Sequence, residues 1–289
     1  MRYHQVWLSL VLLVGVSFLF FPNPISMKNQ HAFLIIDAQY DFCHPNGALY
    51  VPGAEKDMER LSRFISANAP KIDHICITLD SHPVNDISHP SFWQDKNGKF
   101  PAPFTQITLA DVQGGQWTPR FFPKEAIKYL EELEKQGQFP HLIWPEHCLI
   151  GSKGNALDDQ LMTALVDWTR QGKYYQAVTK GTYPLTEHFG IFMAQIPVAD
   201  RPETQLNQSL IKTLENYQNV YVAGEAKSHC VATSIKQALD YAPGLANKMV
   251  IIEDCMSDVP NLGHLGQPIY EEAKKRNIRF ARIQDITLN

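Results

Sequence analysis

From residue 31 onward two hydrophobic patterns take turns along the chain. Short continuous apolar runs occur at residues 32–37 (AFLIID), 74–79 (HICITL), 141–144 (HLIW), 175–179 (YQAVT), 220–223 (VYVA) and 249–253 (MVIIE). Apolar runs of this length without polar alternation suit strands buried on both faces, the situation of a parallel sheet. Between them apolar residues return every three or four positions. Residues 123–136 place Ala126, Ile127, Leu130 and Leu133 on one helical face, begin with Pro123 and stop at Gly137, which are helix start and stop signals. Residues 155–170 (Leu157, Leu161, Leu165, Trp168) and 230–241 (Ile235, Ala238, Leu239) show the same spacing. Strands alternating with helices predict right-handed βαβ crossovers. The expected fold is therefore α/β, a Rossmann-like three-layer α/β/α arrangement around a six-stranded, mainly parallel sheet.

Two stretches stand outside this rhythm. Residues 91–122 contain prolines at 101, 103 and 119, the pair Gly114-Gly115 and the aromatic residues Phe92, Trp93, Trp117 and Phe121, with no sustained period. Long irregular segments inside compact domains are commonly functional covers, and the aromatic content predicts an ordered excursion inserted into one domain spanning residues 31–289. The other stretch is the front of the chain. Arg2 and His4 precede an apolar run over residues 6–21 that is ended by Pro22 and Pro24. Sixteen helical residues reach about 24 Å, short of a hydrocarbon core of about 30 Å. Residues 1–30 therefore read as a signal peptide, with an uncleaved N-terminal membrane anchor as the alternative. The expected destination is export, to a bacterial periplasm; any contact with a membrane would run through this segment alone.

Composition narrows the partners. The 289 residues carry 26 Lys+Arg against 30 Asp+Glu, a formal charge of -4. No basic field gathers a phosphate backbone, so nucleic acid is not an expected partner; a small molecule is, and a homo-oligomer remains open. Five cysteines are scattered without the dense even spacing of a disulfide scaffold. At least one thiol needs another explanation.

In a parallel α/β sheet, ligands bind outside the carboxyl ends of the strands. Asp37 closes the first apolar run, Asp80 and His82 the second, Trp144 and His147 the third, Lys180 the fourth and residues 225–230 the fifth. Cys230 lies between a strand pattern and a helix pattern. A helix N-terminus there, with Lys180 near, would favour a reactive thiolate. Asp37, Lys180 and Cys230 together supply a base, an orienting cation and a nucleophile for acyl transfer. Asp80 and His82 fall on one side of an extended segment. With His147, and His89 as a candidate fourth ligand, they offer oxygen and nitrogen donors suited to one divalent metal ion, zinc foremost, manganese or iron as alternatives.

Five segments, IIDAQYDF (35–42), TLDSHP (78–83), WPEHC (144–148), TKGTY (179–183) and GEAKSHCVATS (224–234), resemble the ordered motif set of the nicotinamidase/isochorismatase-like cysteine hydrolases. The resemblance spans residues 31–255 and implies the isochorismatase-like hydrolase fold. It further implies that Cys230 attacks a carboxamide carbon, that Asp37 handles the thiol proton, and that Lys180 keeps both in register. Backbone N–H groups of Ala226 and Cys230 would meet the oxyanion, beside a cis Glu225–Ala226 bond. In the nicotinamidase branch the metal held at Asp80, His82 and His147 binds the pyridine nitrogen, and Phe42 and Trp144 enclose the ring. The implied reaction is metal-dependent hydrolysis of nicotinamide to nicotinate and ammonia through a Cys thioester. Another small amide is the nearest alternative, and a non-catalytic envelope metal-binding protein the more distant one. One position departs from the family pattern: Ser228 stands where a carboxylate is usual.

Overall fold

A computed structural model describes residues 30–289. The targeting segment read from residues 1–30 lies, Gln30 apart, outside the described residues. Among these, no helix is long and apolar enough to cross a membrane.

In chain order the strands are β1 (His31–Ile36), β2 (His74–Asp80), β3 (Trp93–Gln94), β4 (Thr118–Pro119), β5 (Gln176–Lys180), β6 (Asn219–Gly224), β7 (Met249–Ile252) and β8 (Arg279–Ala281). The helices are α1 (Tyr40–Cys43), α2 (Ala54–Asn68), α3 (Leu109–Gln113), α4 (Pro123–Gln136), α5 (Asp159–Thr169), α6 (Gln208–Glu215), α7 (Ala232–Tyr241), α8 (Pro243–Ala246) and α9 (Gly263–Lys275). Six strands form one sheet in the order β5-β2-β1-β6-β7-β8. Every pairing in it is parallel. All six residues of β1 are buried, as a central strand covered on both faces requires. The covering helices pack in pairs, α2 with α5 and α7 with α9.

The chain runs outward from β1 in one direction through β2 and β5, and in the other through β6, β7 and β8. The order therefore reverses between β1 and β6, and a crevice opens where their carboxyl ends part. Gly224 closes β6 with φ 116°, and a Cβ there would stand 2.0 Å from the Ile36 carbonyl oxygen. Only glycine lets the two strand ends approach so closely.

One expected strand is absent from the sheet. Residues 141–144 run as a loop touched by a single bridge, Gln106 to Leu142. Their backbone pairs with the excursion instead: Ile107 donates to the His141 carbonyl, Ile143 to Thr105, and Phe104 to Ile143. Ile143 accordingly joins a second apolar cluster with Ile87, Phe92, Trp93, Tyr129 and Leu130. The sixth strand is β8, three residues opening with an arginine, too short and too polar to announce itself by periodicity. Helix α4 has the bounds that its pattern predicts. Helix α5 begins four residues later than its pattern, at the Asp158 cap, whose side chain accepts from the Gln160 and Leu161 N–H groups. The excursion is ordered: β3 and β4 form a small antiparallel ribbon, and α3 starts at a capping box made by Thr108 and Asp111.

Candidate active site

The carboxyl ends of β1, β2 and β5 bring Asp37, Asp80 and Lys180 together, whereas Trp144 and His147 arrive from the loop that stands in place of the expected third strand. Lys180, at the end of β5, is the hub. Its Nζ lies 2.9 Å from Asp37 Oδ2, 2.9 Å from Asp80 Oδ1 and 3.7 Å from Cys230 Sγ, and it donates to the His188 carbonyl at 2.8 Å. All four of these side-chain groups are buried. Asp37 follows β1 with φ 46°; its Oδ1 accepts the Thr78 hydroxyl at 2.6 Å, and Thr78 accepts the Asp37 N–H in return. Gln39 clamps the neighbouring strand end, donating to the Asp80 carbonyl and accepting the Asp80 N–H, both at 2.7 Å.

Burial and charge oppose each other throughout this cluster. Burial alone would drive the proton off Lys180, but Asp37 and Asp80 outweigh it and hold the ammonium well above its ordinary value. Asp80 is held well below its usual range, since His82 and Lys180 overcome its desolvation. Asp37 is raised, because burial and the neighbouring Asp80 outweigh Lys180. The Cys230 thiol is also pushed well up by burial, with Lys180 opposing. Burial thus works against the ready-made thiolate that the sequence pattern favours, and Lys180 links the sulfur to Asp37. Cys230 sits in a π-type turn, Lys227–Val231, ahead of α7 rather than in its first turn. The preceding Glu225–Ala226 peptide bond is cis. The Ala226 N–H donates to no group among the described residues.

Asp80, His82 and His147 present one donor atom each within 4.8 Å of one another, all buried. His82 Nε2 is 3.0 Å and His147 Nε2 3.5 Å from Asp80 Oδ2. The outer nitrogens are engaged elsewhere: His82 Nδ1 with Asp86 at 3.1 Å, His147 Nδ1 with the Pro145 carbonyl at 2.8 Å, His89 Nδ1 with the Val84 carbonyl at 3.2 Å. Tying Nδ1 to an acceptor fixes the tautomer that leaves Nε2 free as a ligand. His89 packs edge-on, 5.2 Å from the His82 ring and 5.4 Å from the His147 ring, and its Nε2 is buried without a partner. Burial lowers it to about 3, so it is a neutral donor. The donor set thus fits a divalent ion. Gly181 makes room for it: at φ 77°, a Cβ would meet Asp80 Oδ1 at 2.8 Å and the His82 ring at 3.0 Å.

Cys230, Ala226, Asp80 and His147 open into one small cavity, roofed by Phe42, Trp144, Phe189 and His229 and sided by Leu49, Val259 and Glu187. Phe42 and Trp144, singled out in the sequence, are both there. Phe189, His229, Glu187, Gln39 and Asp86 were not singled out. Gln39 and His229 lie inside the quoted motifs, so their neighbours could have flagged them; Phe189 and Glu187 lie in a loop without pattern. His229 is lowered to about 4 by burial, and its ring stands edge-on to Trp144 at 5.1 Å and to Phe189 at 5.3 Å. Ser228 keeps its turn satisfied, with its hydroxyl 2.8 Å from His229 Nδ1 and accepting the Val259 N–H at 3.1 Å. A larger depression beside α9 contains no nucleophile.

A parallel sheet carrying a buried thiol, an acid, an ammonium and a metal-type donor set at its switch point defines a hydrolase scaffold for a small substrate. No family model matches the chain. Relatives do. A nicotinamidase of Saccharomyces cerevisiae is 26% identical over 246 residues, 85% of this chain and 96% of its own. One from Acinetobacter baylyi is 26% identical over 231 residues, 80% and 83% of the two chains. Among solved structures, the yeast nicotinamidase bound to nicotinaldehyde superposes with a TM-score of 0.61 at 22% identity, over 88% of this chain and all of that one. A pyrazinamidase of Pyrococcus horikoshii in complex with zinc gives 0.50 at 20% identity, over 88% and 99%. Along most of its length the chain is similar to nicotinamidases, which supports an amidohydrolase.

Proposed function

We propose that the protein hydrolyses nicotinamide to nicotinate and ammonia with Cys230 as nucleophile. The observation that carries this reading is the placement of one buried lysine against Asp37, Asp80 and Cys230 at once. Asp37 takes the thiol proton, and the sulfur adds to the carboxamide carbon. The N–H groups of Ala226 and Cys230 face the oxygen that becomes negative. Asp37 then passes its proton to the amide nitrogen, ammonia leaves, and a thioester remains. Water, deprotonated by Asp37, cleaves it, releasing nicotinate and returning the proton to Cys230. Throughout, Lys180 keeps its charge and compensates whichever of its neighbours is negative.

Asp80, His82 and His147, with His89 as the fourth, would hold the divalent metal; zinc is the first choice, with manganese and iron as alternatives. Bound there, the ion supplies a Lewis-acid contact for the pyridine nitrogen. Phe42, Trp144, Phe189 and His229 would enclose the ring and exclude water. The relatives' substrate and the zinc of the pyrococcal neighbour support this reading.

The test is ammonia release from nicotinamide by purified, metal-supplemented protein. Cys230→Ala is expected to lower kcat by about four orders of magnitude or more, the size seen when a covalent nucleophile is removed; full activity in that variant overturns the mechanism. Asp80→Ala is expected to lose bound metal by elemental analysis. A panel of small amides sets the substrate. We also propose export of the protein, which the mass of the mature chain from cells would test.

A further inference from the structure

A second acid cluster lies behind the turn that presents Ala226 and Cys230. Glu225 is fully buried, and its one protein donor is the Ser257 N–H, 3.0 Å from Oε2; Oε1 has none. The group facing it is Asp57 on α2, itself buried. Asp57 is well supplied: Arg60 donates to Oδ1 at 2.5 Å and the Ser257 hydroxyl to Oδ2 at 2.5 Å. Two buried carboxylates side by side, one with donors on both oxygens and one with an orphan, are resolved by a single proton on the poorer one.

We propose that Glu225 is protonated and hydrogen-bonds to Asp57, and that this acid pair positions the Ala226–Cys230 turn; the role rests on the hydrolase reading above. The pair ties three elements together. Ser257, from the loop after β7, bridges both acids and accepts the Lys227 N–H at 2.8 Å through its carbonyl. Asp57 anchors the assembly to α2. Glu225 is the residue immediately before Ala226, so displacing its side chain displaces an oxyanion donor. Of the titratable groups around Glu225, Asp57 and Arg60 come from α2, Cys43 from α1, Cys255 and Asp258 from the loop after β7, and Tyr270 from α9. Arg60 is the sole cation among them, and it is already engaged by Asp57. Burial and then Asp57 hold Glu225 well above its ordinary value. The raised value fixes the sign: the proton on Glu225 is present in acid and is lost as pH rises through that value.

The experiment measures kcat and KM for nicotinamide from pH 6 to 10 in wild type, Glu225→Gln and Glu225→Ala. Thermal midpoints and the rate of Cys230 alkylation by iodoacetamide are followed over the same range. Glutamine carries a neutral donor for Asp57 that does not titrate. Glu225→Gln is expected to keep kcat within about threefold at pH 7 and to extend the alkaline limb of both activity and thermal midpoint by about one pH unit. Glu225→Ala is expected to lose about tenfold or more in kcat with KM little changed. The proposal is overturned if a folded Glu225→Gln falls as far as Glu225→Ala, or if its alkaline limbs coincide with those of wild type. Absence of nicotinamide turnover by wild type would sink the hydrolase reading alone, because alkylation and thermal profiles still report the acid pair.

Discussion

The floor and the roof of the cavity are built on different principles. The floor is dense in charge: Asp37, Lys180, Asp80, His82 and Asp86 form a chain in which each group is stabilised by an opposite neighbour. The roof of Phe42, Trp144, Phe189 and His229 carries no charge, since burial keeps His229 neutral near pH 7; Trp144, Phe189 and His229 cohere through edge-on ring contacts, and Phe42 stands edge-on to His147. Buried charges depend on mutual compensation, so a floor change propagates to every partner. Ring contacts depend on shape and remain local.

The sharpest way to break this contrast is at the hub. Lys180→Met keeps the volume of the side chain but leaves Asp37 and Asp80 facing each other without a cation. Removing one partner of a buried ion pair costs about 3–5 kcal/mol, and kcat/KM is expected to fall at least about a thousandfold. Denaturant unfolding and ammonia release measure the two losses. Unchanged unfolding free energy would mean that the floor does not hold together electrostatically.

Next in size is the response to pH, which should differ in sign between the two regions. His229 in the roof and His141 beneath the excursion are both lowered to about 4 by burial. They stay neutral in the fold while their unfolded counterparts gain protons, so their stability is present above about pH 6.5 and lost as pH falls toward 4. His82 in the floor behaves oppositely. Burial lowers it, but Asp80 and Asp86 raise it well above its ordinary value, so in the metal-free protein its contribution is full in acid and lost as pH rises through the raised value. Each group can tilt stability by at most about 1.4 kcal/mol per pH unit. Unfolding free energies at pH 7.5, 6.5 and 5.5 test the acid side, and His141→Phe is expected to flatten that slope. An unchanged slope would place the acid sensitivity elsewhere.

The same division governs what the sequence discloses. Floor residues stand immediately after apolar strands, where a parallel sheet has to put its ligands, so Asp37, Asp80 and Lys180 could be placed from the pattern alone. Their supports could not: Gln39 and Asp86 act through side-chain hydrogen bonds to neighbouring segments, which leave no periodic trace. Half of the roof, Trp144 and Phe189, comes from loops. Residues 141–144 look like a strand because they are apolar, but their hydrogen bonds go to the excursion, and hydrophobicity cannot reveal which backbone a segment pairs with. Phe189 follows no pattern, and β8 is an edge strand of three residues.

A smaller effect is expected from trimming the roof. Trp144→Ala removes the ring that stands against His229 and Phe189 while leaving all floor distances intact. KM for nicotinamide should rise about fivefold to tenfold with kcat within about threefold, the signature of lost uniform binding. Steady-state kinetics decides; an equal fall in kcat and kcat/KM would instead give the roof a part in the transition state.

The smallest expected effect lies one layer further out. Phe104, contributed by the excursion, touches Trp144 edge-on at 5.9 Å, so the excursion supports the roof from outside. Its helix α3 fully buries no residue; Leu109 and Val112 only lean on the second apolar cluster, and the cap adds local bonds: Thr108 Oγ1 accepts the Asp111 N–H at 3.1 Å, and the Asp111 carboxylate accepts from the Thr108 N–H at 2.9 Å. Thr108→Ala removes this cap and is expected to cost about 1 kcal/mol. If roof and excursion are separable, that loss appears in denaturant unfolding while KM stays within about twofold of wild type. A rise in KM comparable to that of Trp144→Ala would show that the capped helix holds the aromatic roof in place, and the cavity would then have to be described as three coupled layers instead of two.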